Sequence, residues 1–115
     1  MISEANRRTA ERDFLAAVVQ YAEAHSWRVH HVLEARHYAK RIGPGYPDLT
    51  MVRVHNHGGR MVLAELKSER GKVSEPQKQW LEAFVTLSKY CGADVRVEVY
   101  LWRPHDWDTV VRVLE

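Results

Sequence analysis

Two apolar runs joined by a short turn sequence constrain the fold of this chain more than any other feature. The runs are Asp48–Val54 and Met61–Lys67, and the residues at 55–59 between them read HNHGG. Asparagine followed by paired glycines favours the tight turn of an antiparallel hairpin. Both runs are apolar on both faces over much of their length, which is typical of strands inside a sheet covered on each side. The sequence therefore predicts a central hairpin with helices on both faces.

Helical and strand-like patterns flank this hairpin. Ala10–His25 carries apolar residues at helical spacing and ends at Ser26 and Trp27, and a short strand is expected over Arg28–Leu33. A polar and basic stretch with Gly43, Pro44, Gly45 and Pro47 follows, and it predicts a loop that touches substrate.

The second half of the chain predicts a helix, a strand and a helix. The helix in this half that comes first spans Ser74–Cys91. It begins with a capping box, Ser74-Glu75-Pro76-Gln77, and ends at Gly92. Its expected buried stripe consists of Trp80, Leu81, Phe84 and Leu87. The strand spans Asp94–Trp102 and the last helix Asp106–Leu114. The fold class is thus α/β or α+β, with a mixed central sheet flanked by helices.

Composition limits the class of protein. At 115 residues the chain is expected to form a single domain over 1–115, and one cysteine, Cys91, excludes an internal disulfide or a multi-cysteine zinc site. No apolar run suits a signal peptide or a membrane span, so the expected compartment is the cytoplasm, of a bacterium or a phage-infected host cell. The net charge of +2 permits binding to a polyanion without requiring it.

Asp48, Glu65 and Lys67 form the group of residues that most strongly indicates chemistry. Side chains alternate along a strand, so Glu65 and Lys67 share a face, and a hairpin turn within 55–59 brings Asp48 beside them. Two carboxylates and an ammonium suit phosphodiester hydrolysis, in which carboxylates hold Mg²⁺ and a cation lies near the developing charge. The alternative is an ordinary ion pair at a sheet margin. A solvated charge is not expected in the apolar run VLAELK, however.

These residues resemble a known family. The chain is similar to the PD-(D/E)xK nuclease superfamily and, within it, to the small stand-alone VRR-NUC nucleases of phages and bacteria. The similarity lies in GYPDL at 45–49, AELKSERGKVSEPQKQWLEAF at 64–84 and WRPHDWDTVVRVL near the end. It implies a restriction-endonuclease-like αβββαβ core and binding of Mg²⁺, with Mn²⁺ able to substitute. The implied metal ligands are Asp48, Glu65 and the Leu66 carbonyl oxygen, and Lys67 is implied to be catalytic.

Two further residues have competing interpretations. The resemblance implies Glu11 as a ligand of the metal or of its water, and Glu11 also lies in helical register with the apolar Leu15, Val18 and Ala22. The alternative for Glu11 is an acid favoured by the helix dipole. Gln77 corresponds to a glutamine that faces the site in similar nucleases, whereas its position in the capping box gives it a structural role.

Candidate contacts to DNA come from residues near these motifs. For each of them an exposed, solvated side chain is the simpler alternative. The candidates are His31, Tyr38, Lys40, Arg41, Ser68, Arg70 and Lys72.

The leading functional hypothesis is a metal-dependent endonuclease that selects structured DNA, similar to Holliday junction resolvases and acting as a homodimer. A flap, nicking or restriction-like nuclease that acts with partners is a second hypothesis. A non-catalytic DNA-binding module is a third, and a missing acid or lysine would be its signature. Asp48, Glu65 and Lys67 are all present.

Overall fold

The computed structural model describes residues 4–32 and 43–115, with side chains from Ala10 onward in the first range. Tyr38, Lys40 and Arg41 lie outside the described residues. The elements in chain order are α1 (Glu4–Ala24), β1 (Arg28–His31), β2 (Leu49–His55), β3 (Gly58–Leu66), α2 (Glu75–Ser88), β4 (Val95–Trp102), a single 3-10 turn (Pro104–Asp106) and α3 (Trp107–Leu114). This order confirms the predicted fold class and places the predicted hairpin at β2 and β3.

The four strands form one mixed sheet in the order β1-β2-β3-β4. β2 pairs antiparallel with β1 and with β3, whereas β3 and β4 run parallel. The prediction that the two apolar runs lie inside the sheet is therefore correct. Asn56 and His57 make the turn, and His57 takes the left-handed backbone conformation with φ 71°. The backbone carbonyl of Asp94 approaches Gly58 so closely that a side chain would not fit there.

The main core lies on the face of the sheet that α1 and α3 cover. Trp27 closes one end of this core, because its indole N–H donates to the Leu114 carbonyl at 2.8 Å. The guanidinium groups of Arg53 and Arg60 lie 4.5 Å and 5.0 Å from the centre of the Trp27 ring. The buried members of the core are Phe14, Val18, Ala22, Trp27, Leu49, Met51, Val62, Ala64, Trp102, Val110 and Leu114.

Helix α2 covers the opposite face and differs from its prediction in its bounds and in its burial. It begins after the predicted N-cap, Ser74, and ends at Ser88 rather than at Cys91. The expected burial of its apolar stripe is wrong: none of residues 75–88, all of them described, is buried, and Leu87 is 58% exposed. The physical reason is that α2 packs mainly against the edge strand β4 and is itself open to solvent on its outer side. Helical periodicity identifies the apolar side of a helix but not how much of it is covered.

Helix α1 also differs from its predicted bounds, because it begins at Glu4 instead of Ala10. Its end agrees with the prediction, since Ser26 adopts a left-handed conformation with φ 69° and the Trp27 N–H returns to the Ala22 carbonyl at 3.1 Å. Within residues 4–32 and 43–115, no helix has the length and apolar character needed to cross a membrane.

Candidate active site

The register of β2 and β3 brings Asp48 and Glu65 together, as the sequence predicts. Leu49 pairs with Ala64 in the antiparallel register, so Asp48, the residue before β2, lies opposite Glu65 near the end of β3. Leu66 is the last residue of β3, and its backbone N–H donates to Asp48 Oδ2 at 2.9 Å. The Asp48 carbonyl in turn accepts from the Val32 N–H at 3.1 Å. Asp48 is thereby fixed by its backbone on one side and by its carboxylate on the other.

Glu65 has the most unusual environment in the described part of the chain, where it is the one charged residue that is buried, at 2% exposure. Its Oε2 atom is buried and has no hydrogen-bond partner among the described residues. Burial raises the pKa of Glu65 to about 9, the neighbouring Asp48 carboxylate adds to this, and the charge of Lys67 acts in the opposite direction. An ionised carboxylate in this position requires a further cation.

Gln77 joins this site from the other layer of the fold. Its side-chain oxygen accepts from the Ser74 N–H at 2.8 Å, and its own N–H donates to Ser74 Oγ at 3.3 Å, which completes the capping box of α2. The amide nitrogen of the same side chain donates to Glu65 Oε1 at 3.3 Å. The two interpretations of Gln77 are therefore compatible, because capping uses the amide oxygen and the contact with Glu65 uses the amide nitrogen.

Lys67 lies one residue beyond β3 and remains tied to the sheet. Its N–H donates to the Trp102 carbonyl at 2.9 Å, so the parallel pairing with β4 extends to this residue. Its charge lowers the pKa of Glu65, an influence that is outweighed by burial and by Asp48. The ammonium thus acts electrostatically on Glu65, and the structure brings Lys67 to the same strand end as Asp48 and Glu65.

The loop that precedes Asp48 packs directly on the start of α2. Gly45 has φ 87°, and a Cβ atom there would lie 2.5 Å from the Pro76 carbonyl carbon and 2.6 Å from the Gln77 nitrogen. Only glycine accommodates both this backbone conformation and this close approach. The Trp80 indole N–H donates to the Pro44 carbonyl at 3.1 Å. Residues 43–47 therefore hold the helix start, and with it Gln77, against the end of β3.

Most of the remaining predicted residues do not join this group. Glu11 is exposed on α1, and no three His, Cys, Asp or Glu side chains gather into a metal-binding group within the parts of the chain that the structure describes. The structure therefore does not bring Glu11 together with Asp48 and Glu65, and its role stays a prediction. His31 is exposed at the end of β1, beside Leu49. Tyr38, Lys40 and Arg41 lie outside the described residues.

The segment after Lys67 contains the other candidate DNA contacts. Ser68 is half-buried, whereas Arg70 and Lys72 are exposed to solvent. The sequence did not single out Arg103, whose guanidinium Nη1 donates to the carbonyls of Ser68 and Gly71 at 2.6 Å and 2.8 Å. Arg103 is more than 30 residues away in the chain, so no local pattern signals this contact.

The residues of this site fit a hard divalent cation. Asp48 and Glu65 supply carboxylate oxygens, and the Leu66 peptide group borders Asp48. Glu65 Oε2 is a buried oxygen without a partner, and Gln77 occupies only the other oxygen of that carboxylate. Oxygen ligands of this kind are those that Mg²⁺ and Mn²⁺ prefer.

Comparisons with known proteins agree with the fold described above. The family model for the VRR-NUC domain matches residues 4–101. A solved structure described as a VRR_NUC domain protein superposes with a TM-score of 0.61 at 16% sequence identity, over 90% of this chain and 84% of that one, which shows a shared fold. The comparison with curated proteins found no match. The VRR-NUC domain implies a nuclease-type function that acts on DNA. This chain belongs to the VRR-NUC domain family of the PD-(D/E)xK nuclease superfamily.

Proposed function

We propose that this chain is a Mg²⁺-dependent endonuclease that hydrolyses DNA phosphodiester bonds and selects branched DNA, in the manner of a Holliday junction resolvase. The observation that carries the proposal is the pairing of Asp48 with Glu65, whose Oε2 is buried and unpartnered beside the charge of Lys67. A fold of this size leaves a buried carboxylate oxygen unsatisfied only at a cost, and such costs are found mainly at functional sites.

The proposed ligands of the metal are Asp48, Glu65 and the Leu66 carbonyl oxygen. Glu11 is exposed on α1 and does not lie with these residues, so it is not included in the proposed ligand set. Mn²⁺ is expected to substitute for Mg²⁺, because both ions favour oxygen ligands. When bound, a divalent cation supplies positive charge that polarises the phosphate and lowers the pKa of a bound water. The raised pKa of Glu65 supports this assignment, since the carboxylate pair lacks sufficient positive charge from the protein alone.

Lys67 and Gln77 have separate proposed roles. The Lys67 ammonium orients the attacking water and stabilises the negative charge that develops as water adds to phosphorus and one P–O bond breaks. Gln77 holds Glu65 Oε1 and thereby directs the unpartnered Oε2 toward the site. An outer partner of this kind fixes the orientation of a ligand without binding the metal itself.

Selection by DNA shape is supported by the type of side chains near the site. The proposed contacts to the sugar-phosphate backbone are Ser68, the exposed Arg70 and Lys72, and His31 on β1, together with Tyr38, Lys40 and Arg41. Contacts to phosphate position a duplex but carry no base code. A nuclease of this kind distinguishes substrates by the geometry and deformability of their backbones.

A homodimer is the proposed assembly, because two symmetric cuts in a four-way junction require two sites related by a twofold axis. The exposed apolar residues at the end of α2 support association: Leu87 is 58% exposed and Tyr90 is 83% exposed. Sedimentation analysis of wild type and Leu87→Lys tests this step. We expect a dimer that the lysine dissociates, and a monomeric wild type at all concentrations would contradict it.

The test of the function compares cleavage of end-labelled four-way junction, flap, linear duplex and single-stranded DNA in Mg²⁺ or Mn²⁺. We expect metal-dependent cuts placed symmetrically in the junction, abolished by EDTA and by Lys67→Ala. Lys78→Ala is the matched control, because Lys78 is an exposed lysine on α2 outside the site. Preferential cutting of flaps or linear duplex would replace the resolvase assignment, and binding without cleavage in either metal would identify a DNA-binding module instead.

A further inference from the structure

We propose that Arg103 is a positioning residue for Lys67 and acts through the turn at residues 68–71. The proposal rests on the proposed function, in which Lys67 acts at the scissile phosphate. Arg103 directly follows Trp102, whose carbonyl accepts the Lys67 N–H at 2.9 Å. The last residue of β4 therefore accepts a hydrogen bond from the Lys67 backbone. Arg103, the next residue, donates hydrogen bonds to the turn that follows Lys67.

A single guanidinium nitrogen fastens both ends of this turn. Arg103 Nη1 donates to the Ser68 carbonyl at 2.6 Å and to the Gly71 carbonyl at 2.8 Å, and both bonds are partly buried. The Gly71 N–H also donates to the Ser68 carbonyl at 3.1 Å, which closes the turn. Hydrogen bonds from a charged donor are shorter and stronger than those between neutral groups. Removing Arg103 would leave the turn with only its own internal hydrogen bond from this set.

Gly71 connects the position of the turn to the Lys67 side chain. A Cβ atom at residue 71 would lie 3.4 Å from Lys67 Cδ and 3.0 Å from Ser68 Oγ. The backbone φ of Gly71 is not positive, so residues other than glycine could adopt this conformation. What glycine provides at this position is space, because it has no side chain. The aliphatic part of the Lys67 side chain thus lies close to the backbone whose carbonyls accept from Arg103. Displacement of this turn would therefore displace the Lys67 side chain.

The segment that contains Arg103 is itself well anchored. The Arg103 N–H donates to Asp106 Oδ2 at 2.9 Å. His105 makes a second tie to the same turn, because its N–H donates to Glu69 Oε1 at 2.8 Å and its Nδ1 is hydrogen-bonded to Glu69 Oε2. Both hydrogen bonds of Arg103 Nη1 are directed at protein carbonyls.

The experiment measures the single-turnover cleavage rate at saturating DNA and, separately, DNA affinity in Ca²⁺. For Arg103→Ala we expect the rate to fall by roughly 10²-fold, the size of effect that a small misplacement of a catalytic group produces, with little change in affinity. Added guanidinium ion should restore part of the rate, and methylammonium should not. Gly71→Ala is a second, steric perturbation of the same turn and should lower the rate without removing a charge.

Arg53→Ala is the matched control for loss of stability. Arg53 also donates to backbone carbonyls, those of His25, Leu114 and Glu115 at 3.1–3.2 Å, but on the side of the fold that carries the main core. It should lower the melting temperature and leave the cleavage rate at saturating DNA near that of the wild type. An equal loss of rate in Arg53→Ala and Arg103→Ala would overturn a positioning role.

Backbone amide NMR provides a readout that does not depend on activity. We expect Arg103→Ala to shift the amide signals of residues 67–71 and to accelerate hydrogen exchange at Gly71, while the signals of α1 remain in place. Unchanged signals at 67–71 would overturn the proposal even if the wild type cuts no DNA. If the wild type cuts DNA, Lys67→Ala is inactive and Arg103→Ala retains the full rate, the proposed function stands and only the role of Arg103 fails.

Discussion

Glu65 and Glu98 are carboxylates on neighbouring strands and opposite faces of the sheet, and their surroundings differ in nearly every respect. Arg60 donates two hydrogen bonds to Glu98, at 2.6 Å and 2.8 Å, and the Tyr100 hydroxyl donates a third at 2.7 Å. Burial alone would raise the pKa of Glu98, but the hydrogen bonds from Arg60 and Tyr100 lower it overall. Glu65 receives one hydrogen bond from an uncharged amide, and burial beside Asp48 raises its pKa to about 9.

The difference separates a structural carboxylate from the carboxylate that we propose to bind a metal. Glu98 is satisfied by groups that the protein itself supplies, so it stabilises the folded state without a ligand. Glu65 keeps one oxygen unpartnered and lies beside the second carboxylate, Asp48. This arrangement lowers the stability of the folded state in the absence of a bound cation. The same residue type therefore has opposite effects on stability, decided by its neighbours.

The largest expected effect is that of Glu65→Gln on cleavage. We expect the rate to fall by roughly 10³-fold, as for loss of a principal electrostatic group in other enzymes. In the absence of metal the variant should be at least as stable as the wild type at neutral pH, because the raised pKa means that Glu65 must take up a proton on folding and the amide need not. Single-turnover cleavage and urea unfolding of the same preparations measure both quantities. Marked destabilisation with cleavage intact would place Glu65 in the same structural class as Glu98.

Glu98→Gln should show the reverse pattern. We expect a loss of about 2 kcal/mol in the free energy of unfolding, because Arg60 stays partly buried without its carboxylate, and near-normal cleavage. The Glu98 pKa is below its usual 4.5, so its stabilisation is present above pH 4.5 and is lost as pH falls through the lowered pKa. The free energies of unfolding of the wild type and of Glu98→Gln, measured with urea, should thus converge in strong acid. A difference that grew in acid would contradict this assignment.

The third comparison separates capping from catalysis at Gln77. Ser74→Ala and Gln77→Ala both disrupt the capping box, and each should destabilise the protein by about 1 kcal/mol. Only Gln77→Ala also removes the hydrogen bond to Glu65, so it alone should lower cleavage, by at least about tenfold. Thermal unfolding and initial rates measured side by side provide the test. Equal rates in the two variants would leave Gln77 with a capping role only.

The smallest effect concerns Glu69, a solvent-exposed carboxylate that extends the comparison to the surface. Its hydrogen bond raises the pKa of His105 above the usual 6.5. The stabilisation from this pair is therefore present below pH 6.5 and is lost as pH rises through the raised pKa. NMR titration of His105 should show a lower pKa in Glu69→Gln than in the wild type, with only a small change in stability. An unchanged pKa would mean that the pair does not form in solution.

Much of the fold is predictable from the sequence because its signals are local. Asn56 and the glycines after it mark the hairpin, and the period of the strands then requires Asp48 to lie beside Glu65. The capping box beginning at Ser74 marks the start of α2 to within one residue. The predicted start of α1 at Ala10 is too late, because the sequence from Glu4 to Thr9 continues the helix without an apolar stripe that would indicate it.

The remaining features depend on which elements lie next to each other. The exposure of Leu87 follows from what covers α2, and helical periodicity carries no such information. The two roles of Gln77 are compatible only because its two amide atoms face different partners, which the sequence does not indicate. Arg103 reaches a turn 32 residues earlier in the chain, a contact that only the parallel pairing of β3 and β4 creates.

The two bonds of the Gln77 side chain have a consequence for how activity responds to heat. The first turn of α2 is stabilised by the capping box, and helix termini open locally at free energies well below that of global unfolding. Each such opening releases Ser74 from Gln77 and, with it, Glu65 from its amide partner. Cleavage is therefore expected to decline over a temperature range in which the sheet remains intact, so the fraying of one helix end sets the working temperature of the site.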